Sequence, residues 1–557
     1  MTFGAELLTA RLEQCGVDTV FGLPGTQNVV LFDALRRSRL RTIVPTHELA
    51  AGFMANGYAR ASGRVGVVAA IQGPGFTYAL TALAEARHDS APLLLITGAP
   101  EESRRFALQA LDQTAMAAPV AKAVIRGRSG AALADDVARA HALALSGEPG
   151  PVVLELPGSD SAEAATAPAQ APAIKGDSSA EALEALLRRA RRPIFYLGQG
   201  CAAGAASLLR LVEQLGAPVA TTLSGRGILP ENHPLSLALD QLPHGVEQLN
   251  RMIASSDLVL ALGCKLSHNG TAGFRLALPP DRLAHVDASD EVLGANYPAR
   301  LLLQADAPGL LARLASATWS RSEWRSEELV ACRQAARSDP PAEPAVQDIR
   351  PSTPAGFFTA LRTALPDDAI LVLDSGQHQM LARRHFPVLA PRGLIAPSDY
   401  QSMGFGLPAA IGAAVAAPAR PVVALIGDGG LAMSGLELLT AVRERIPLLT
   451  IVFVDGSLGL IRSQQIREFG HTHGVALDPV DLAAFAAATG ARYVRLEGDD
   501  PARLLGGAGA GSRPVLVEVS VGDSVAVRRQ HAASYARSAV RSALGPRLIG
   551  IVKRWLR

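Results

Sequence analysis

The run PVVALIGDGGLAMSGLELLTAVRERIPLLTIVFVDGSLG occupies residues 421–459, and each of its two apolar segments ends in Asp-Gly. PVVALIG predicts a strand, which leaves Asp428 just past its carboxyl end between Gly427 and Gly429. Backbone can approach a phosphate closely there, and a carboxylate can meet a hard cation. Ser434 and Glu437 have the spacing of a capping box opening the helix SGLELLTAVRER, and Pro447 opens a second strand ending at VFVDG. That is one βαβ crossover. A right-handed crossover returns the chain to the same edge of a parallel sheet, so Asp428 and Asp455 would face one crevice. Two carboxylates and a glycine-rich edge suit magnesium holding a diphosphate. Taken alone, the same residues also read as two turn aspartates that cap helices.

Working outward, similar apolar runs recur along the chain. VDTVFGL, VGVVAAI and PLLLITG come first, then PIFYLG, PVATTL, LVLALG and RLAHVD, and finally AILVLDSG and PVLVEVS beside the two already quoted. Short apolar runs ending in Gly, Ser or Asp and followed by helical patterns mark parallel α/β domains. Two stretches rich in small residues and proline, 158–180 and 337–354, read as linkers. At roughly 100–200 residues per domain, 557 residues predict three domains, or two large ones. The expected division is 1–160, 181–336 and 355–527, with a basic tail at 528–557.

Apolar residues make up 48% and charged residues 19%, with 53 basic against 51 acidic side chains. This balance argues against a disordered chain and against a nucleic-acid binder. Cys15, Cys201, Cys264 and Cys332 have no C-x-x-C spacing, which speaks against a disulfide framework, a zinc site or a thioredoxin-like centre. No run of about 18 uncharged apolar residues occurs, and the N-terminus lacks the layout of a signal peptide. A cytoplasmic protein is expected.

The segment from Gly427 to Gly459 resembles the thiamine-diphosphate signature, a GDG followed by an Asn or Asp ligand. Further segments match the same family in order: FGLPG, HELAAGFMANGYARASGRVGV, GPGFT, DSAPLLLITG, TTLSGRGILPENHP, GQHQM and SMGFGLPAAIGAA. The chain is similar over nearly its whole length to the thiamine-diphosphate-dependent enzymes, in their acetolactate synthase-like branch. The resemblance implies an α/β fold of three parallel-sheet domains: pyrimidine-binding, central Rossmann-like and diphosphate-binding. It also implies a homodimer or homotetramer with active sites between subunits.

The same resemblance assigns roles to residues. Glu48, after His47, would share a proton with N1′ of the aminopyrimidine, favouring the tautomer whose 4′-nitrogen takes the proton from thiazolium C2. The competing reading is an exposed glutamate in the first turn of a helix capped by Thr46. Asp428, Asp455 and the backbone of Ser457 would hold Mg2+, and Gly376, Gln377 and His378 would touch the diphosphate. Met433 would be the wedge under the bent cofactor, with the carbonyl near Gln401 and Met403 at the pyrimidine edge. Pro74, Gly427, Gly429, Gly430 and Leu460 complete the expected cofactor contacts. Gly25, Thr26 and Gln109 would flank the reaction centre.

Departures from the pattern bear on the substrate. Gln464 stands in LIRSQQ where branched-chain synthases carry a tryptophan, and Thr26 and Tyr78 replace the usual Gly and Asn. Thr26 and the ALQALDQ run also lack the Asp and paired histidines of pyruvate decarboxylases. Val454-Asp455 replaces an Asn-Asn pair, which keeps an oxygen ligand and adds negative charge. The expected activity is decarboxylation of a 2-oxo acid, with pyruvate favoured, and carboligation to an acceptor carbonyl. The alternatives are a decarboxylase or carboligase for another 2-oxo acid or aldehyde, and a flavin-dependent oxidase. FAD is disfavoured, because Lys265-Leu266-Ser267-His268-Asn269 replaces the R-F-D-D-R-like run and Gly198-Gln199-Gly200 reads as a tight strand-to-helix turn. The tail, with Leu548, Ile551, Val552, Trp555 and Leu556, reads as a docked helix or lid rather than a membrane contact.

Overall fold

A computed structural model describes residues 2–99, 108–157, 178–240, 242–337, 347–349, 353–496 and 513–523, with the single positions 529, 532, 533 and 536. Most of the two expected linkers, and the apolar stripe of the tail, lie outside the described residues.

Three sheets follow one another along the chain. In the first, six parallel strands run in the spatial order Arg41–Ile43, Thr19–Gly22, Gly66–Ala69, Leu93–Gly98, Pro151–Leu156, Ala123–Arg126. The central sheet has five parallel strands: Leu301–Gln304, Leu283–Asp287, Leu258–Leu262, Pro193–Leu197 and Val219–Thr221. The third sheet pairs Leu394–Ile395, Ile370–Leu373, Val422–Gly427, Leu448–Val454 and Val515–Asp523 in parallel order. Arg492–Arg495 joins the start of that last strand in parallel, and Gln347–Ile349 joins its end antiparallel. Near-continuous burial along the central strands, such as Val422–Ile426, is what a sheet covered on both faces requires.

The first and third sheets share one core. The helix Glu48–Ser62 is buried from Ala50 through Ala61, apolar or small nearly all round, and crosses the helix Gly406–Ala416. Small residues at the crossing allow near backbone contact. A Cβ on Gly57 would overlap the carbonyl oxygen of Ala409, and one on Gly412 would overlap that of Met54. Phe53 and Phe405 meet edge to face beside this crossing, 5.3 Å between centroids. The carboxyl edges of the first and third sheets are thereby held in fixed relation.

The expected capping box does not form. Ser434 closes the short helix Asp428–Ser434, and a second helix, Glu437–Arg443, starts after Leu436 with no side-chain cap. Glu437 is instead fully buried, accepting from the Thr440 hydroxyl at 2.7 Å and from the backbone N–H of Thr46 at 2.9 Å. Thr46 also donates its hydroxyl to Glu437. Thr46 is therefore not the cap of the Glu48 helix. That cap is His47, whose Nδ1 accepts from the N–H of Ala50. A tertiary contact between the two lobes has taken both residues away from local capping.

Candidate active site

Three neighbouring strands of the third sheet end side by side at Leu373, Gly427 and Val454, and a cavity of about 110 Å3 opens at that edge. Asp428 and Asp455 both line it, with Gly376, Gln377, His378, Met403, Gly427, Gly429, Gly430, Ser457 and Leu460. One Asp428 oxygen accepts from the N–H groups of Asp455 (3.2 Å) and Gly456 (2.8 Å), so the first aspartate shapes the loop that carries the second. Asp455 Oδ1 accepts from the N–H and hydroxyl of Ser457, at 2.9 and 3.2 Å. Burial raises the carboxyl pKa of Asp428. It does the same for Asp455, where the charge of Asp428 adds to the rise. Two half-buried carboxylates that repel one another form a site whose energy falls when a cation enters.

The rest of the cradle adds a further oxygen and open backbone N–H groups. Gln377 is buried, donates its amide to the carbonyl of Gly459 (3.0 Å) and the hydroxyl of Ser463 (2.9 Å), and leaves Oε1 without a partner. A Cβ on Gly459 would run into Asp455 Oδ2 and come within 2.7 Å of Gln377 Oε1, so only glycine leaves room there. Gly376 starts the helix Gln377–His385 with no side chain accepting from its first N–H groups, an arrangement suited to phosphate oxygens. His378 donates from Nε2 to the carbonyl of Asp374 at 2.9 Å, and burial pushes its imidazole down to about 4, which keeps it neutral. The chemistry of this donor set fits a hard divalent cation carrying a diphosphate.

Asp374 was not singled out from the sequence, although it stands at a strand end in LVLDSG as Asp428 does in LIGDG. Fully buried, it accepts from the N–H of Ser375 at 2.7 Å and from that of Gly404 at 3.1 Å, and burial pushes its carboxyl up to about 7. A Cβ on Gly430 would press on its Oδ2. Asp374 therefore spaces the Met403–Gly404 turn from the Asp428 helix.

A second constellation lies at the carboxyl edge of the first sheet. Glu48 begins its helix with Oε1 2.8 Å from where a Cβ on Gly75 would be, and Pro74 opens the neighbouring helix Pro74–His88. Gly73, at φ 66°, donates its N–H to Gln113 Oε1 at 2.9 Å. A side chain at Gly73 would meet the backbone of Gln109, itself left-handed at φ 57°. Gln27 donates its amide to Gln109, and Gly25 packs on Ile71 with Thr26 exposed beside it. The structure thus gathers Gly25, Thr26, Glu48, Pro74 and Gln109 in one place. Gln27 and the buried Gln113, missed in the sequence, are the residues that tie this place together.

Within one chain these five residues do not line the cavity of Asp428. Neither does Gln401, whose backbone is left-handed at φ 62° and whose amide is held by the carbonyls of Pro397 and Ser398. Met433 also stands outside it, 58% exposed, beside Leu436 at 56%. Tyr78 and Leu108, flanking the Glu48 constellation, are 62% and 74% exposed. Gln464 lies exposed on the helix Gly459–Phe469.

A larger cavity, about 280 Å3, lies between the central sheet and the first lobe. Gly198 and Gly200 belong to it, but a Cβ on either would strike the loop at Gly263, so these glycines serve the close approach of two strand ends. Lys265 points its ammonium at Glu148, 2.6 Å away, and donates to the carbonyls of Arg87 (3.2 Å) and His88 (3.0 Å). Asp89, Asp287, Asp306 and Asp399 also line the space.

Residues 2–116 match the description "Thiamine pyrophosphate enzyme, N-terminal TPP binding domain", residues 180–314 the central domain of the same enzymes, and residues 374–519 their C-terminal TPP binding domain. Over 475 residues the chain is 35% identical to acetolactate synthase isozyme 1 large subunit of Escherichia coli K12, covering 83% of each protein. It is 34% identical over 502 residues to a probable 2-ketoarginine decarboxylase of Pseudomonas aeruginosa, covering 86% of this chain and 85% of that one. Against the acetolactate synthase large subunit of Lactococcus lactis the identity is 30% over 544 residues, 94% of this chain and 93% of the other.

Proposed function

The chain belongs to the thiamine pyrophosphate enzyme family, and on that premise we propose that it decarboxylates a 2-oxo acid, with pyruvate favoured, and joins the remaining fragment to an acceptor carbonyl. The observation that carries this reading is the cradle at the third sheet edge, where Asp428 and Asp455 stand beside an unpartnered Gln377 oxygen. Asp428, Asp455 and the backbone of Ser457 would hold Mg2+. The N–H groups at Gly376 and Gln377, with the backbone of Gly427, Gly429 and Gly430, would receive the diphosphate. When bound, thiamine diphosphate supplies the electron sink for the carbon left by loss of carbon dioxide.

Glu48 would exchange a proton with N1′ of the aminopyrimidine, and Gly75, where a Cβ would press on its Oε1, leaves that carboxylate uncovered on one side. Gln109, held by Gln27, would orient the substrate carbonyl. Because Glu48 and the Asp428 cradle are apart in a single chain, each complete site would form between two copies, with Met433, Leu436, Tyr78 and Leu108 covered by the partner. This gives at least a homodimer. A cytoplasmic location is supported by four free cysteines, three of them buried, and among the described residues no helix is long and apolar enough to cross a membrane.

We propose that the central cavity carries no FAD. Asp89, Asp287, Asp306 and Asp399 line that space against two cations, Arg392 and a Lys265 already held by Glu148 and two carbonyls, and the Gly198–Gly200 turn is packed on Gly263. The purified protein is expected to be colourless near 450 nm. A second reading, a decarboxylase for another 2-oxo acid, is favoured by exposed Thr26 and Tyr78 beside Gln109 and by Gln464.

The test is carbon dioxide release from pyruvate by the full chain with and without thiamine diphosphate and magnesium, products being identified by mass spectrometry. Acetolactate formed only with both additions supports the first reading. No release from pyruvate, with release from another 2-oxo acid, replaces it by the second.

A further inference from the structure

Two loops meet at the carboxyl edge of the first sheet, and each has its backbone pinned. In the loop after the strand Thr19–Gly22, the buried Asn28 accepts from the N–H of Gly25 at 2.7 Å and donates its amide to the carbonyl of Leu23 at 2.9 Å. Gln27 sits between these anchors. In the other loop, Gln109 is left-handed at φ 57° and packs so that a Cβ on Gly73 would come within 2.8 Å of its carbonyl oxygen. Gly73 is fixed in turn through its N–H by the buried Gln113, whose amide donates to the carbonyl of Gly98 (3.0 Å) and to Glu155 (3.3 Å). With both backbones held, the freedom left to the pair is which end of each side-chain amide points where.

Gln27 donates its amide nitrogen to Gln109 Oε1, and its own Oε1 is left buried without a partner. The amide nitrogen of Gln109, a half-buried residue, has no partner among the described residues. Turning both amides over would keep the bond between them but put the N–H groups of Gln27 where its oxygen now stands unpaired. A buried carbonyl goes without a partner more readily than a buried N–H does, which favours the order seen: Gln27 gives and Gln109 accepts. That order matters to a 2-oxo acid. Its carboxylate and ketone oxygens can only accept, so a Gln109 amide with its N–H groups outward attracts them and one with its oxygen outward repels them.

We propose that Gln27 is a positioning residue that, by occupying Gln109 Oε1, turns the N–H groups of Gln109 toward the acid end of the substrate. The part of this concerning substrate rests on the function proposed above, whereas the order of the two amides does not. Gln27 leaves an oxygen desolvated and unpaired to do so, which a residue kept for stability alone has no reason to do. An apolar side chain of the same shape would serve the fold as well and would leave Gln109 free to turn.

The test uses the full chain with Gln27→Met, Gln27→Glu and Gln109→Ala. The order of the pair is read without cofactor or substrate, from side-chain amide hydrogen exchange in protein carrying heavy nitrogen at glutamine, each signal being assigned by its loss in the matching variant. In the unaltered protein the Gln27 amide is expected to exchange at least about tenfold more slowly than that of Gln109. In Gln27→Glu, whose carboxylate at neutral pH can only accept, Gln109 should turn over and its amide become the slow one. A slow Gln109 amide in the unaltered protein overturns the proposal, because Gln109 would then be the donor. With thiamine diphosphate and magnesium, kcat/KM for pyruvate, or for the 2-oxo acid turned over in its place, should fall about 100-fold in Gln27→Glu. Added to Gln109→Ala, the same substitution should cost less than about twofold more. Losses that multiply overturn the proposal, since Gln27 would not be acting through Gln109. Cofactor-free Gln27→Met should melt no lower than the unaltered protein while its kcat/KM falls, and a lower melting temperature with unchanged kcat/KM overturns the proposal by making Gln27 a packing residue. If the exchange order is as expected while no 2-oxo acid is decarboxylated, the hold of Gln27 on Gln109 stands and the proposed function falls.

Discussion

Gly57 lies so close to Ala409 that a β-carbon on the glycine would sit inside the carbonyl oxygen of its neighbour. The contact joins the helix that starts at Glu48 to the helix that follows the Met403 turn, and Gly412 against Met54 repeats it in the opposite sense. The Glu48 cluster and the Asp428 cradle of one chain, each half of a different proposed site, are thus spaced by bare backbone.

Gly57→Ala and Gly412→Ala should each destabilise the protein by about 3 kcal/mol or more, since backbone on the other helix cannot rotate away as a side chain can. Equilibrium denaturation measures this. A cost within about 0.5 kcal/mol of zero would show that the helices separate freely.

Asp428→Asn keeps an oxygen for the N–H groups of Asp455 and Gly456 but removes one of two repelling charges. Affinity for thiamine diphosphate in the presence of magnesium should fall more than about 100-fold. The cofactor-free protein should unfold at an equal or higher temperature, so that stability and binding move in opposite directions. Chelation of magnesium in the unaltered protein should reproduce the loss of binding.

Lys265 and Glu148 tie the central lobe to the first. Lys265→Met takes the nearer of two cations from a largely buried carboxylate, leaving it Arg87 at 3.8 Å and the Ser90 hydroxyl at 3.0 Å, and should cost about 1–3 kcal/mol, whereas Lys265→Met with Glu148→Gln should recover most of it. A double-mutant cycle gives the coupling directly, and additive costs would mean the pair contributes nothing beyond its parts.

Asp287, in the same cavity, has its carboxyl pushed up to about 6 by burial, above the ordinary 3.8. The folded state therefore binds its proton more tightly than the unfolded state. Stability from this group is full below about pH 4 and is lost as the pH rises through 6. Asp287→Asn, which can still accept from the N–H of Ser289, should match the unaltered protein near pH 4 and exceed it by about 1–3 kcal/mol at pH 8. Melting curves at the two pH values decide it.

The strands that carry Asp428 and Asp455 were legible because a run such as VVALIGDG has few other ways to fold: apolar on both faces, then a turn with an acid in it. The strand Pro151–Leu156 was not singled out, although its burial is as complete, since its apolar run carries Glu155, whose carboxylate accepts from Gln113. The capping box at Ser434 failed for a reason local spacing cannot contain. Its glutamate answers to Thr46, far away in the chain. The burial of Glu85 is illegible for a similar reason, since nothing around it in TALAEARHDS announces that Ser402 of the third lobe brings it an N–H. The N-terminal cluster was read through Glu48 and Gln109, while the amides of Gln27 and Gln113 that fix it are legible only once the loops are folded together.

The edge strand Gln347–Ile349 pairs antiparallel with the last residues of Val515–Asp523. During synthesis the first of these emerges well before the second, so it must wait as an unpaired edge until the end of the last sheet strand is made. Entry into and exit from the third lobe are then fastened to each other. A break introduced before residue 347 would leave that lobe stitched at its own seam, and the lobe would be a natural unit for circular permutation.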